Sequence, residues 1–242
     1  MKDIGEYEGE RMSAAKASDE RTRKVLKIVM VILLLTAIVL AILLWRGTGK
    51  ETKDSFRDLI AANPDVVAWL TVDGTEIDTV VTQAENNTKY ISTDVYGEQS
   101  ITGTPFLDYR NSPKFVDHYS IIYGHNVQNH MMFSDLKLFT DEEFWNEERT
   151  GTLELKSGKK YDIEFFAYIE AKESEGKYFD PRMVENNWTL EGKTNKKFLA
   201  GLTKDAAIAK DKIKGSDRIL VLSTCEAAGV EDRILVMGRI LK

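Results

Sequence analysis

Three residue types that together can perform acyl transfer stand at the ends of apolar runs. Cys225, the only cysteine in the chain, directly follows a polar Ser-Thr pair that ends the apolar run at 219–222. Arg233 opens another apolar run, and His125 comes just after the run at 119–123. A thiolate nucleophile needs a proton carrier and a donor for the oxyanion that forms when it attacks a carbonyl. The pattern therefore predicts a cysteine-dependent acyl-transfer site built from three strand ends.

Ordinary structural roles compete with this interpretation. A single cysteine is usually a buried packing residue, but the polar neighbours Ser223, Thr224 and Glu226 favour an exposed strand end for Cys225. Arg233 could equally form a surface salt bridge with the acidic residues just before it. The residue types alone leave both interpretations open.

Three further residues offer the same chemical groups. Arg239 shares a strand face with Arg233, because alternate residues of a strand point the same way, but it lies six residues deeper, far from the cysteine-bearing end. His118 precedes its predicted strand and His130 follows the turn after His125. Both are predicted to be surface histidines, which need no functional explanation.

Composition indicates one medium-sized domain plus an appendage, with no cofactor and no metal. The hydrophobic fraction of 43% can fill a core, and the net charge of −6 gives no reason to expect nucleic acid. Three scattered histidines and one cysteine provide no metal-ligand spacing, and no glycine-rich phosphate loop follows a predicted strand.

The appendage is predicted to anchor the chain in a membrane. Residues 1–24 form a polar tail, and residues 25–45 form the anchor, with no charge at 28–45. At 1.5 Å per residue, a helix of this length crosses a hydrocarbon core of about 30 Å. A cleaved signal peptide is the competitor, but its apolar region would be shorter and followed by a small-x-small site. The flanking cations favour a cytoplasmic N terminus and an extracellular domain in a single-pass cell-membrane protein.

After a linker at 46–54, the domain at 55–242 is predicted to be mainly β. Eight short apolar or alternating runs are predicted to be strands, at 66–72, 75–81, 104–107, 119–123, 152–155, 160–169, 219–222 and 234–240. Asp73-Gly74 predicts a tight hairpin between the first two. Short strands at this density favour a closed or nearly closed barrel.

Helices are predicted at the start of the domain and in two insertions. A helix-like stretch begins at Ser55 and ends before Pro64. Thr140 and Glu143 have capping-box spacing, which predicts a helix at 141–148. The larger insertion, residues 171–217, carries a predicted helix at 195–202, and a connection of this length is often functional.

Several segments resemble a known family. Leu222-Ser223-Thr224-Cys225 with the later Arg233, and the earlier Tyr123-Gly124-His125-Asn126, resemble the signature segments of sortases, and within that family class B. The likeness runs from about residue 63 to the C terminus and includes the segments Asn63-Pro64-Asp65-Val66-Val67-Ala68-Trp69-Leu70, Phe106-Leu107-Asp108-Tyr109-Arg110-Asn111 and Met132-Phe133. The resemblance implies an eight-stranded barrel, in which 171–217 is the helix-bearing specificity insertion of class B.

The resemblance also implies a reaction. Cys225 would attack the threonine carbonyl of an Asn-Pro-x-Thr type sorting signal, His125 would act as acid and then base, and Arg233 would hold the oxyanion. The implied partners are surface proteins bearing the C-terminal signal, and a peptidoglycan cross-bridge amine or lipid II as acceptor. Two other functions stay open: a pilin-polymerising sortase, and a catalytically inactive cell-surface peptide-binding module.

Seven residues align loosely with the class B substrate groove, although ordinary loop and core roles compete for each. They are Asn87, Ile91, Ser174, Tyr178, Phe179, Ser223 and Glu226. Tyr178 and Phe179 are favoured, because aromatic side chains can cover a proline-containing peptide.

Overall fold

A computed structural model describes residues 26, 29, 30, 33, 36, 53–127, 130–147, 149–174, 176–225 and 232–241. The chain divides into two compact units, Met1–Lys50 and Glu51–Lys242. In the first unit the five described residues are helical and exposed. Within the described ranges no helix is long and apolar enough to cross a membrane, and most of the predicted anchor at 25–45 lies outside those ranges.

The described part of the second unit is built mainly from strands. They are β1 (Val66–Val72), β2 (Asp78–Thr82), β3 (Phe106–Leu107), β4 (Tyr119–Tyr123), β5 (Asn126–Val127), β6 (Met131–Met132), β7 (Thr150–Leu155), β8 (Lys160–Lys172), β9 (Thr189–Leu190), β10 (Lys193–Thr194), β11 (Ile208–Ala209), β12 (Ile219–Cys225) and β13 (Asp232–Ile240).

Short helices connect these strands. The α-helices are α1 (Lys53–Ala62), α2 (Glu142–Glu147), α3 (Gly176–Phe179), α4 (Pro181–Trp188) and α5 (Lys196–Leu202), and the 3-10 helices are Lys89–Ile91 and Ser134–Thr140. The last three α-helices all lie in the predicted insertion at 171–217.

Eight strands close into a barrel, as predicted. The order is β8, β13, β12, β4, β3, β2, β1, β7 and back to β8, with β11 added beside β8. Among the described residues, closure gives each of these eight strands a neighbour on both sides. β12 runs antiparallel to β13 and parallel to β4, so the final residues of β12 lie beside the end of β4 and the start of β13.

Alternation along the strands separates an inner core from an outer one. In β12, Leu220 and Leu222 belong to the inner core of the barrel, whereas Ile219 and Val221 belong to the outer cluster beneath the insertion. The insertion helices supply further members of this outer cluster, including the fully buried Trp188. Burying a large apolar side chain contributes about 1.5–3 kcal/mol, so the insertion is bound firmly to the outside of the sheet.

Several predicted boundaries differ from the structure. The turn after β1 is longer than the predicted tight hairpin, because β2 begins only at Asp78, although Gly74 does adopt a positive φ of 73°. The prediction that Thr140 is the N-cap of α2 was wrong. Asp141 caps the helix through Oδ1, which accepts from the Glu143 N–H at 2.8 Å, while the Thr140 hydroxyl donates to the Lys137 carbonyl.

Candidate active site

The strand register brings the three predicted catalytic positions to one end of the barrel. Cys225 pairs with Arg233 in the β12–β13 ladder, and Ser223 pairs with Tyr123 in the β12–β4 ladder. Just beyond Tyr123, the Gly124 N–H donates to the Ser223 carbonyl at 3.0 Å. The backbone leading to His125 is therefore hydrogen-bonded to the strand that carries the cysteine.

A groove of about 320 Å³ opens at this end of the barrel. It is lined by Asn87, Ile91, Thr104, Phe106, Arg110, Tyr123, Gly124, His125, Glu173, Phe179, Ser223 and Arg233. These residues come from the β2–β3 loop, the ends of β3 and β4, the facing ends of β12 and β13, and the start of the insertion. The β2–β3 loop thus forms one wall of the groove, and the start of the insertion forms a second wall.

The predicted site residues divide into three groups. Six line the groove: Asn87, Ile91, His125, Phe179, Ser223 and Arg233. Ser174 is exposed at the start of the insertion, and Tyr178 is only 1% exposed, in the outer core; neither is a groove-lining residue. Glu226 lies outside the described residues, and Cys225 is described through its backbone.

The imidazole of His125 is held by a backbone carbonyl. Its Nε2 lies 2.8 Å from the Ile91 oxygen. Since a carbonyl only accepts, Nε2 carries the proton in this contact, and in the neutral ring Nδ1 is the acceptor. The β2–β3 loop therefore selects the tautomer of His125.

Two glycines permit these close approaches. A Cβ at Gly103, where φ is 60°, would lie 2.3 Å from the Tyr90 oxygen and 2.6 Å from the Ile91 oxygen. A Cβ at Gly124 would lie 2.7 Å from the ring of Phe133. Real Cβ atoms do not come so near, so packing requires glycine at both positions, and the positive φ of Gly103 also favours glycine there.

Arg233 and Arg239 have different partners. Arg233 contacts Glu173, at the start of the insertion, with Nη2 and Oε2 2.5 Å apart. Arg239 sits opposite Ile219 at the far end of β12. There its guanidinium meets Asp217 at 3.2 Å and donates to the Lys212 carbonyl at 2.8 Å. Of the two arginines, it is Arg233 that lines the groove.

The other two histidines make contacts away from the groove. His118 stacks on Trp188 and lies 3.1 Å from Glu185, and His130, 66% exposed in its side chain, contacts Asp135 at 2.6 Å. Neither is a groove-lining residue. Among the described residues, no group of three or more His, Cys, Asp or Glu side chains could hold a metal ion.

Sequence reasoning missed four polar groove-associated residues: Asp108, Arg110, Tyr123 and Glu173. The hydrogen bonds that Arg110 donates to Asp108 raise the pKa of Arg110 above its ordinary value. Burial, followed by the charge of Asp108, raises the pKa of Tyr123. The sequence signal that could have identified Asp108 and Arg110 was the Asp-Tyr-Arg segment inside the motif from Phe106 to Asn111.

Comparison with known proteins agrees with this geometry. Sortase B of Listeria monocytogenes is 32% identical over 195 residues, which is 79% of this chain and 76% of the relative. A Streptococcus pyogenes class B sortase involved in pilus biogenesis is 36% identical, with a TM-score of 0.70, covering 79% of this chain and 100% of that chain. A Staphylococcus aureus sortase B–substrate complex is 25% identical, with a TM-score of 0.65, and the match covers 83% of this chain and 90% of that chain. A scan against protein-family models found no match.

The closed barrel with its cysteine-bearing strand end is that of a sortase-type cysteine transpeptidase. The relatives define the class more narrowly: the chain belongs to the sortase B family.

Proposed function

We propose that this chain is a membrane-anchored sortase that cleaves a C-terminal sorting signal of the Asn-Pro-x-Thr type after threonine and joins the protein to a peptidoglycan amine. The observation that carries this proposal is the meeting of His125 and Arg233 in one groove, beside the strand end that holds Cys225. The family supports the reaction type, and the groove supports an extended peptide substrate.

Acylation would proceed through a thioester. The Cys225 thiolate attacks the threonine carbonyl carbon and forms a tetrahedral oxyanion. When this intermediate collapses, the amide bond between the threonine carbonyl carbon and the nitrogen of the next residue breaks. Protonated His125 gives its proton to the departing amine. The C-terminal segment of the signal leaves, and the threonine remains bound to sulfur.

Transfer would reverse the roles. The acceptor amine, from a peptidoglycan cross-bridge or lipid II, attacks the thioester carbonyl while neutral His125 takes its proton. The C–S bond breaks, the thiolate leaves, and a new amide joins threonine to the acceptor. His125 ends protonated, ready for the next cycle.

Arg233 would stabilise the oxyanion in both halves of the reaction. A guanidinium keeps its charge at every working pH and donates from a rigid fork. Glu173 contacts this fork through Nη2, which orients the guanidinium within the groove. Removing one oxyanion donor typically costs 10²–10³-fold, or about 3–4 kcal/mol, of catalysis.

Peptide binding is assigned to the two walls of the groove. Ile91, from the β2–β3 loop, and Phe179, from the insertion, supply apolar surface, and Asn87 and Ser223 supply polar groups. Ser223 lines the groove, and its buried hydroxyl has no hydrogen-bond partner among the described residues. Ser174 and Glu226 complete the proposed set. Tyr178 is buried and packs edge-on against the ring of Phe179, so we assign it a supporting role rather than a peptide contact.

The membrane anchor is proposed from residues 25–45. Its support is the absence of charge across residues 28–45, with more cations before that stretch than after it. Carbonate extraction of cell membranes, followed by detection of the full chain, tests this assignment. Release of the full chain into the soluble fraction would contradict it.

A peptide-cleavage experiment tests the function. The full chain in mild detergent is incubated with peptides containing Asn-Pro-x-Thr and with hydroxylamine as a small nucleophile, and products are identified by mass spectrometry. We expect a hydroxamate on threonine, and Cys225→Ala should abolish both it and the thioester adduct while keeping the melting temperature. Cleavage elsewhere, or by Cys225→Ala, would contradict the proposal.

Pilus assembly is the second candidate. It is favoured by the likeness to the Streptococcus pyogenes class B sortase, whose description names pilus biogenesis and whose whole chain is covered. The two candidates differ only in the acceptor, a lysine of a pilin or a cross-bridge amine. Offering both amines to the thioester and comparing their transfer rates separates the candidates.

A further inference from the structure

A buried carboxylate lies under the groove. Asp108 directly follows β3, is fully buried, and its Oδ1 accepts from the backbone N–H and Nε of Arg110, at 2.9 and 2.8 Å. Its Oδ2 accepts from Arg110 Nη2 at 2.7 Å, Asn87 Nδ2 at 2.8 Å and the Tyr123 hydroxyl at 3.1 Å. These donors fill the acceptor capacity of a carboxylate, so the cluster has one preferred arrangement.

One wall of the groove is tied to this carboxylate through Asn87. The Asn87 amide donates to Asp108, while its oxygen accepts from the Tyr109 N–H at 2.9 Å. Asn87 stands four residues before Ile91, whose carbonyl holds His125. Asp108 is thereby tied to the start of the β2–β3 loop, which forms this wall of the groove.

The second wall, formed by the start of the insertion, is tied to the same carboxylate through Arg110. Nη2 of Arg110 donates to the Phe179 carbonyl at 2.8 Å, and Nη1 lies 3.2 Å from Oδ1 of Asp180. Asp180 is also the N-cap of α4, accepting from the Arg182 and Met183 N–H groups. A single guanidinium thus joins the barrel to the insertion 69 residues later in the chain.

The geometry of this link requires arginine. One planar fork reaches a carboxylate, a carbonyl and a second carboxylate, whereas a lysine ammonium has neither the shape nor the number of donors. The Arg110 side chain is only 17% exposed, so solvent screens these contacts less than it screens surface pairs.

We propose that Asp108 and Arg110 are positioning residues that set the distance between the two walls of the groove for the sorting-signal peptide. This inference rests on the proposed function. A groove that is already in its bound shape avoids the entropic cost of ordering both walls when the peptide binds. Loss of the link should therefore weaken peptide binding and leave the reacting groups intact.

The matched comparison is Arg110→Lys against Arg239→Lys in the full chain. The Arg239 side chain is 14% exposed and also joins a carboxylate to a backbone carbonyl, but at the far end of β12. We expect Arg110→Lys to raise KM for an Asn-Pro-x-Thr peptide about tenfold, with kcat within about twofold. Arg239→Lys should keep KM within about twofold of wild type. Alkylation of Cys225 by iodoacetamide should be unchanged in both.

A milder variant covers the case in which Arg110→Lys does not fold. Asp180→Asn keeps a capping side chain but removes the charge that meets Arg110, and it should raise KM about threefold with unchanged kcat. An unchanged KM in both groove variants, or an equal rise in Arg239→Lys, overturns the inference.

Hydrogen exchange distinguishes a failure of this inference from a failure of the proposed function, because it needs no substrate. Arg110→Lys should speed amide exchange in both the 87–104 loop and residues 176–180, relative to Arg239→Lys. If wild type cleaves no threonine-containing peptide yet both segments exchange faster, the proposed function fails and the link between the walls stands. Unchanged exchange in both segments overturns the link, whatever the peptide result.

Discussion

Arg233 stands directly opposite Cys225 in the antiparallel ladder between β12 and β13. Residues paired in this way have Cβ atoms about 5 Å apart. The register of two neighbouring strands thus places the proposed oxyanion donor beside the proposed nucleophile. Glu173, at the start of the insertion, contacts the same guanidinium and restricts the directions in which it can point.

The two arginines of β13 provide the first test. Arg233→Lys should lower kcat by about 10²–10³-fold, because a point charge does not replace the fork at the oxyanion. Arg239→Lys should stay within about twofold of wild type, since its partners lie at the far end of the strand. Single-turnover acylation rates measure both. A large loss only in Arg239→Lys would show that the wrong arginine was assigned.

Two glycines of the β2–β3 loop provide a second test. Gly103→Ala should lower kcat at least about tenfold, because its Cβ would displace the Ile91 carbonyl that holds His125. Gly97 has a φ of 90°, but a Cβ added there would meet nothing within 4 Å. Gly97→Ala should therefore lower the stability by about 1 kcal/mol and leave kcat unchanged. Equal turnover in both variants would argue against orientation of His125 by this loop.

Neighbouring aromatic residues of the insertion should behave differently. Phe179 lines the groove, so Phe179→Ala should change the kcat/KM ratio of two competing peptides by about 1–3 kcal/mol. Tyr178 is fully buried in the outer core, and Tyr178→Ala should cost about 3 kcal/mol or more of stability.

Competition between two peptides and thermal melting, measured on the same samples, distinguish these effects. We expect Tyr178→Ala to keep the ranking of the peptides. An unchanged ranking in Phe179→Ala would remove that side chain from the recognition site.

Acid should weaken the cluster under the groove. Burial raises the pKa of Asp108, but the hydrogen bonds from Arg110 and Asn87 outweigh it, so the pKa lies below its ordinary value. A lowered pKa stabilises the folded state at every pH above the unfolded value of about 4, and this stabilisation is lost as pH falls through the folded pKa.

Melting temperatures of wild type and Asp108→Asn between about pH 2 and pH 8 measure this contribution. We expect wild type to melt at a higher temperature than Asp108→Asn, by a difference that is constant above about pH 5 and shrinks below about pH 4. An advantage that grows as the pH falls would contradict an ionised Asp108.

Strand positions were largely readable from the sequence because alternation is a local property. β1 and β4 begin and end where the pattern predicts, and the closed eight-stranded barrel agrees with the prediction. Errors fell at turns and caps, where one side chain competes with its neighbour. Asp141 outcompetes Thr140 for the cap of α2 because its carboxylate reaches two N–H groups.

The sequence by itself determined the chemical groups of this protein: one thiol, a histidine and an arginine at strand ends, and the signature segments of a sortase. Only the tertiary structure decided what surrounds them. Asp108 joins Asn87 and Tyr123, and through Arg110 it reaches Phe179. Periodicity is written in neighbouring residues, whereas these contacts depend on which distant loops meet once the barrel closes and the insertion packs on its outer face.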